Sequence, residues 1–231
     1  MWAADDPATV SAEVYAVMRR RILRGDLAMG QVISRRRIAA DLSTSLQTVT
    51  AALLRLECEG LLEHRARSGT RVPIPSADDV RGHYVVLEAL EVQAVRRLAE
   101  ALTRRERADL EKLAKRVDEL AVEGDRKAYF AGHQRLHVRI AECSRSHILQ
   151  LTSDRAYAVA GLWLVGLRHA PPFDEPARHQ EFIERIVGAD AAGAAHAVRK
   201  HLAVDMERSL DLLERSARRA RPSVGGRWHR R

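Results

Sequence analysis

The run ISRRRIAADLSTSLQTVTAALLRLECEGLLEHRARSGTRV, residues 33–72, keeps a helical period twice and then abandons it. Ile38, Ala39 and Leu42 share one face of a short helix over about residues 34–42, with Ser34 as its N-cap. Val49, Ala52, Leu53 and Leu56 form the buried stripe of the next helix, which starts after STS and stops at Gly60. Beyond it, Leu61, Leu62 and Val72 to Ile74 flank a turn at Ser68-Gly69, the spacing of a short hairpin. Upstream, Val14, Val17, Met18, Ile22 and Leu23 recur at helical spacing until RGDLAMG ends that helix.

Three helices and a hairpin, with a tight DLSTS turn between the second and third, is the order of a winged helix-turn-helix. We place it at residues 11–75, after a disordered N-terminus at 1–10. In such a module the third helix enters the major groove by its N-terminus. Ser45, Gln47, Thr48 and Thr50 lie before or between the buried positions and face outward; Gln47 suits an adenine edge, and Ser45 or Thr48 a phosphate. Arg35, Arg36 and Arg37 open the second helix, while Arg65, Arg67, Ser68 and Gly69 form the hairpin tip. An isolated surface arginine is ordinarily just solvated. These two clusters gain weight because both fall where a winged helix meets the backbone of double-stranded operator DNA.

Pro73 and Pro75 mark a boundary, after which every segment reads as helix. Ser76/Asp79 and Thr103/Glu106 carry the capping-box pattern, and leucines follow at 110, 113 and 120 until Gly124-Asp125. Further helices span about 126–143, 146–168, 175–187 and 190–216, separated by SRS, APPFDEP and GAD. The fold class is therefore mainly α: a winged helix-turn-helix followed by an all-α bundle over 76–216, then a basic flexible tail at 217–231.

Within the bundle, HQRLHVRI at 133–140 sets two imidazoles one helical turn apart, a metal-chelating spacing, and Phe130, Leu136 and Ile140 turn both rings inward. A hydrogen-bonded core histidine is the plainer reading of such a pair. Two further histidines shift the balance: His179 belongs to a stripe with Phe182, Ile183 and Ile186, and His201 sits with Val198 and Leu202. Burying four imidazoles without a common partner is costly, and one divalent metal bound by His133, His137, His179 and His201 removes that cost. An all-nitrogen donor set favours Zn²⁺ or Ni²⁺ over Mn²⁺. His147, His169 and His196 read as surface residues. Tyr157 and Trp163, on the helix between the pairs, read as core residues that also wall an effector pocket beside the metal.

The formal charge of +8 suggests a polyanion partner, yet the seven arginines from Arg215 to Arg231 supply +7 of it. Residues 1–74 carry 11 Lys/Arg against 8 Asp/Glu. High basicity alone is thus a weak argument for DNA; an arginine-rich tail adds salt-sensitive, sequence-independent affinity. Cys58 and Cys143 lie in apolar helical contexts without C-x-x-C spacing and read as reduced core thiols. No signal-peptide pattern or charge-free membrane span is present, which makes the cytoplasm the expected location, with no membrane partner.

The first module resembles the GntR family of bacterial transcription regulators throughout, above all in ALLRLECEGLL. The resemblance implies a homodimeric DNA reader. Family arginines that read DNA correspond here to Leu46 and Thr50, Arg36 is retained, and Arg35 and Arg37 replace acidic positions. The second part resembles the FCD ligand-sensing domain of the FadR-type branch through LEALEVQAVRRLAE, HQRLHVRIAECSRSHILQL and HQEFIERIVGADAAGAAHAVRKHL. In that resemblance His179 and His201 reproduce a histidine pair 22 positions apart, His137 matches the family histidine, and His133 stands where the family has aspartate. An arginine near the effector, four positions before Glu91, is replaced by Leu87, which implies a changed or missing carboxylate effector.

The expectation is a metabolite-responsive repressor that binds operator DNA, a metal and a small carboxylic acid. One alternative is a metalloenzyme, disfavoured by the absence of H-E-x-x-H, G-x-S-x-G or a P-loop and by Glu142 reading as a salt-bridge partner. Another is a regulator with a purely structural metal and no effector.

Overall fold

A computed structural model describes residues 7–166 and 178–220. Among the described residues it holds helices α1 (Pro7–Leu23), α2 (Arg35–Asp41) and α3 (Leu46–Cys58), strands β1 (Glu63–Arg65) and β2 (Gly69–Arg71), then α4 (Ala77–Ala101), α5 (Arg104–Glu123), α6 (Arg126–Cys143), α7 (His147–Gly166), α8 (His179–Val187) and α9 (Ala191–Ala220).

The head is built as its caps dictate. The Ser34 and Ser45 hydroxyls accept from the backbone N–H of Arg37 and Thr48, starting α2 and α3, and Gly60, at φ +77°, turns the chain after α3. Val49, Ala52, Leu53 and Leu56 are buried against Val14, Met18 and Ile22 of α1. β1 and β2 pair antiparallel with Glu63 opposite Arg71 and Arg65 opposite Gly69. Arg67 and Gly69 both adopt positive φ at the tip, which suits glycine and costs Arg67 some strain. The chain before α2 lies beside β2: Gly30 N–H donates to the Val72 carbonyl and Ile33 N–H to that of Thr70. A Cβ on Gly30 would sit 2.9 Å from Ile74 Cδ1, so this approach needs glycine twice over, for space and for its φ of +77°.

In the bundle α4 packs along α9, α6 and α7, while α5 lies against α6 and α8. Both expected capping boxes form, at Ser76/Asp79 and Thr103/Glu106. Gly124 ends α5 in the left-handed conformation and Asp125 caps α6.

Several expectations need correcting. Helix α1 begins at Pro7, so residues 7–10 belong to it and not to a disordered arm; residues 1–6 lie outside the described residues. Helix α9 runs on to Ala220, past the expected boundary at 216, and the rest of the basic tail lies outside the described residues, as do APPFDEP, His169 and the expected helical residues 167–168 and 175–177. Cys58 is exposed, because it falls on the solvent side of α3; Cys143 is buried as expected.

Candidate metal centre and DNA-reading surface

Three helices bring four imidazoles to a common point: α6 supplies His133 and His137, α8 His179, and α9 His201. One ligand nitrogen from each lies within 4.8 Å of all the others. The His137 and His179 side chains are 0% and 1% exposed, those of His133 and His201 12% and 14%, so the cluster is closed on one side and reachable on the other.

Carboxylates orient two of the rings. Glu91 of α4 accepts from His137 Nδ1 at 2.5 Å and also from the Tyr157 hydroxyl. Asp118 of α5 accepts from His179 Nδ1 at 2.9 Å and from the backbone N–H of His179 and Gln180, so one carboxylate both fixes the ring and caps α8. A ring that donates from Nδ1 presents an Nε2 lone pair, the arrangement of a metal-binding histidine backed by a carboxylate. His179 Nε2 and His201 Nε2 are buried without a hydrogen-bond partner; Asp205 Oδ2, 3.4 Å from the latter, does not meet hydrogen-bond geometry. His137 Nε2 faces His133 Nε2 at 3.1 Å.

Electrostatics point the same way. Burial, reinforced by the neighbouring imidazoles, holds His137 well below the ordinary histidine range. Burial lowers His179 against the pull of Asp118, and lowers His201 to about 3 against that of Asp205. These rings are neutral near pH 7, the form that ligates metals. Burial pushes Glu91 up to about 7, partly offset by the Tyr157 hydrogen bond. Orphaned nitrogens, neutral rings and backing carboxylates together fit a divalent metal; a dry core fits them poorly, since each unpaired buried nitrogen carries a desolvation cost of about 1–3 kcal/mol.

The mutually close ligand atoms are the four imidazole nitrogens expected, with one carboxylate beside them. Asp205 Oδ2 lies 3.2 Å from His133 Nε2 within the cluster. Burial raises its carboxyl, but His201 and His133 outweigh this and hold it below the usual carboxylate range. Sequence reasoning missed Asp205, although the signal was present: it follows His201 by four residues on α9, the same spacing as His133 and His137. Asp118 carried no such signal, because only folding sets α5 against the start of α8.

Of the residues expected to wall an effector pocket, Leu87 and Tyr157 share a void of only about 10 Å³ with His133 and Asp205. Trp163 does not line that void; it packs edge-on against His83, their ring centroids 4.9 Å apart. Roomy space lies on the other side, where a cavity of about 640 Å³ between α8 and α9 reaches His179, His201 and Asp205 and is also lined by Arg178, Lys200 and Arg208.

On the head, Gln47, Arg36, Arg37, Arg65, Arg67 and Ser68 are exposed, and Ser45 is exposed while capping α3. Ser45 and Thr48 hydroxyls bond each other at 2.7 Å, and the Thr50 hydroxyl donates back to the Leu46 carbonyl, so Thr50 projects no uncommitted donor. Arg35 differs from its neighbours: it donates to Thr70 Oγ1 at 3.2 Å, and Thr70 donates to Glu57 at 2.7 Å, a chain that ties α2, the wing and α3 together. Glu142 pairs with Arg135 and Arg139, as expected of a surface carboxylate.

The FCD domain family matches residues 83–204, and the gntR family of bacterial regulatory proteins matches residues 10–72. The HTH-type transcriptional repressor RspR of Escherichia coli (strain K12) is 29% identical over 94 residues, 41% of this chain and 41% of that repressor, so the match spans less than half of its length. A GntR transcriptional regulator from Rhodococcus sp. RHA1 has the same fold, with a TM-score of 0.75 over 87% of this chain and 97% of its own at 21% identity. E. coli McbR/YncC follows at 0.70 over 90% and 98%, with 22% identity. The matched families are families of regulators, not of enzymes, which sets the metalloenzyme alternative aside.

Proposed function

This chain belongs to the GntR family of DNA-binding transcription regulators, with an FCD domain behind the winged helix, and on that premise we propose that it is a homodimeric, metal-dependent sensor of a small carboxylic acid, acting as a repressor. The observation that carries the reading is the pair of buried, unpartnered nitrogens, His179 Nε2 and His201 Nε2, in the four-histidine cluster. His133, His137, His179 and His201 would hold the ion, with Asp205 beside them; the four nitrogen donors make Zn²⁺ or Ni²⁺ the preferred occupants. A bound ion would supply a positive charge that attracts a carboxylate. The α8–α9 cavity gives the acid its room, and Arg178, Lys200 and Arg208 add cationic lining.

In the head, Gln47 reads base edges while Arg36, Arg37, Arg65 and Arg67 engage phosphates; Ser45, Thr48 and Thr50 shape the helix start, Ser68 and Gly69 form the wing turn, and Arg35 braces the wing. Pairing of two chains rests on an apolar face shared by α4 and α7. His83 bonds the Ala156 carbonyl and Arg97 the Ser144 carbonyl, so the helices run antiparallel, and beside that seam Val86 (48% exposed) and Ile148 (70% exposed) face solvent. A second copy covering them matches the two-fold symmetry of an operator.

Metal analysis of the purified protein, followed by DNA binding with and without chelator and a panel of carboxylic acids, tests the reading. We expect about one metal ion per chain and DNA affinity that changes with both metal and acid. Metal that raises only the melting temperature, with DNA affinity unmoved, would leave a structural clamp; no metal at all would remove the proposal. Sedimentation of Val86→Glu and Ile148→Glu variants tests the dimer.

A further inference from the structure

A second cavity, of about 500 Å³, lies where the head meets the bundle, between α1 and the α6–α7 pair. Its volume falls within the range of small-molecule sites. Arg19, Arg20, Arg24 and Lys127 line it against a single carboxylate, Asp154, and Tyr15, Leu23 and Phe130 give it an apolar wall. Arg19 is committed to Asp154 at 2.7 Å, and Lys127 to Asp26 at 3.5 Å. Arg20, in the last turn of α1, and Arg24, just past its end, are exposed and have side chains with no hydrogen bond or ion pair among the described residues. Uncompensated guanidinium groups beside apolar surface suit a ligand that offers both an anion and a hydrocarbon body.

DNA is the obvious rival for such arginines, and the architecture argues against it. Tyr15 donates to Glu59, just past the C-terminal end of α3. The α3 residues set to meet DNA, Ser45, Gln47 and Thr48, sit at the other end of this 13-residue helix, up to about 20 Å away at 1.5 Å per residue. The cavity also lies apart from the α8–α9 one, with which it shares no lining residue.

We propose that this interdomain cleft is a second ligand site, for a small organic anion with an apolar body, of the aryl carboxylate class. The anion meets Arg20 and Arg24 while its body rests on Tyr15, Leu23 and Phe130. Because the cleft is bounded on one side by the DNA-binding head and on the other by α6, which carries His133 and His137, its occupant contacts both domains at once.

Calorimetric titration of the full chain with 1-naphthoate and with its neutral carboxamide tests this. We expect saturable naphthoate binding at the cleft, carboxamide weaker by at least about tenfold, and a similar loss in the Arg20→Glu/Arg24→Glu double variant. Gly161→Leu should also weaken binding, because Gly161 lines the cleft and the added side chain reduces its volume without altering charge; Gly161 borders the small void beside His133 as well, so the metal content of this variant is measured alongside. That variant replaces a helical glycine and keeps the test valid should the charge reversal fail to fold. Absence of saturable binding, equal binding of the carboxamide, or naphthoate binding untouched by the variants would overturn the proposal. If the arginine pair instead lowered DNA affinity alone, the pair would serve the duplex and the ligand site would fall.

Discussion

Arg19 of the DNA-binding head donates to Asp154 of the bundle at 2.7 Å, and this bond joins the two domains through charged partners on both sides. Arg19 also lies 3.8 Å from Glu59, the C-cap of α3, and Asp154 also accepts from Gln134, the residue after His133. The reading helix and the histidine cluster are therefore linked by four side chains: Glu59, Arg19, Asp154 and Gln134.

With side chains 22% and 41% exposed, the pair is expected to contribute less than about 1 kcal/mol to stability. Asp154→Ala should shift the melting temperature by no more than about 2–4 °C, while amide exchange in α1 accelerates and α4 keeps its protection. A double-mutant cycle with Arg19→Ala that shows no coupling energy would rule the link out.

Metal loading should raise thermal stability. At a free concentration a hundred times the dissociation constant, binding adds about 2.7 kcal/mol, or roughly 5–11 °C for a chain of this size. His179→Ala should abolish that increment. Asp118→Asn, which disturbs the ring's orientation but not its ligating nitrogen, should weaken metal binding by about 10–100-fold. Equal metal affinity in Asp118→Asn and the parent protein would mean that Asp118 serves only to cap α8.

Glu106 offers a pH-dependent stability term far from the cluster. The Thr103 backbone N–H and hydroxyl, followed by Arg145, hold its carboxyl down at about 2. A lowered folded pKa contributes stability that is complete above the unfolded value of about 4.5 and is lost as pH falls toward 2. The melting difference between the parent and Glu106→Gln should be constant from pH 7 to 5 and shrink below 4.5; a difference at pH 2.5 as large as that at pH 7 contradicts this. Thr103→Ala should cost about 1 kcal/mol at neutral pH.

On DNA, Gln47→Ala should relax preference at one base position by about 1–3 kcal/mol, whereas Arg36→Ala and Arg67→Ala should weaken all sequences alike and lower the salt slope by about one each. Arg35→Ala should act chiefly on the wing, through its bond to Thr70, and appear as lost stability. A salt slope for Arg35→Ala that falls like that of Arg36→Ala would show both arginines on phosphate.

Local chemistry made most of the architecture legible. Periodic apolar residues, Ser34, Ser45 and Ser76 as caps, and Gly60 and Gly124 as stops act within one or two helical turns, so α2, α3, α5 and α6 follow from neighbours in the chain. The inward positions of His133, His137, His179 and His201 were readable for the same reason, since each lies on its helix's apolar stripe. Partners from distant segments were not. Glu91 behind His137, Asp118 behind His179, Asp154 under Arg19 and the side of the cluster that stays open are set by how α4, α5, α7 and α9 pack, and exposed carboxylate patterns on a helix carry no record of what will lie across from them. Periodicity encodes which face is buried; only the assembled bundle determines which polar groups meet there.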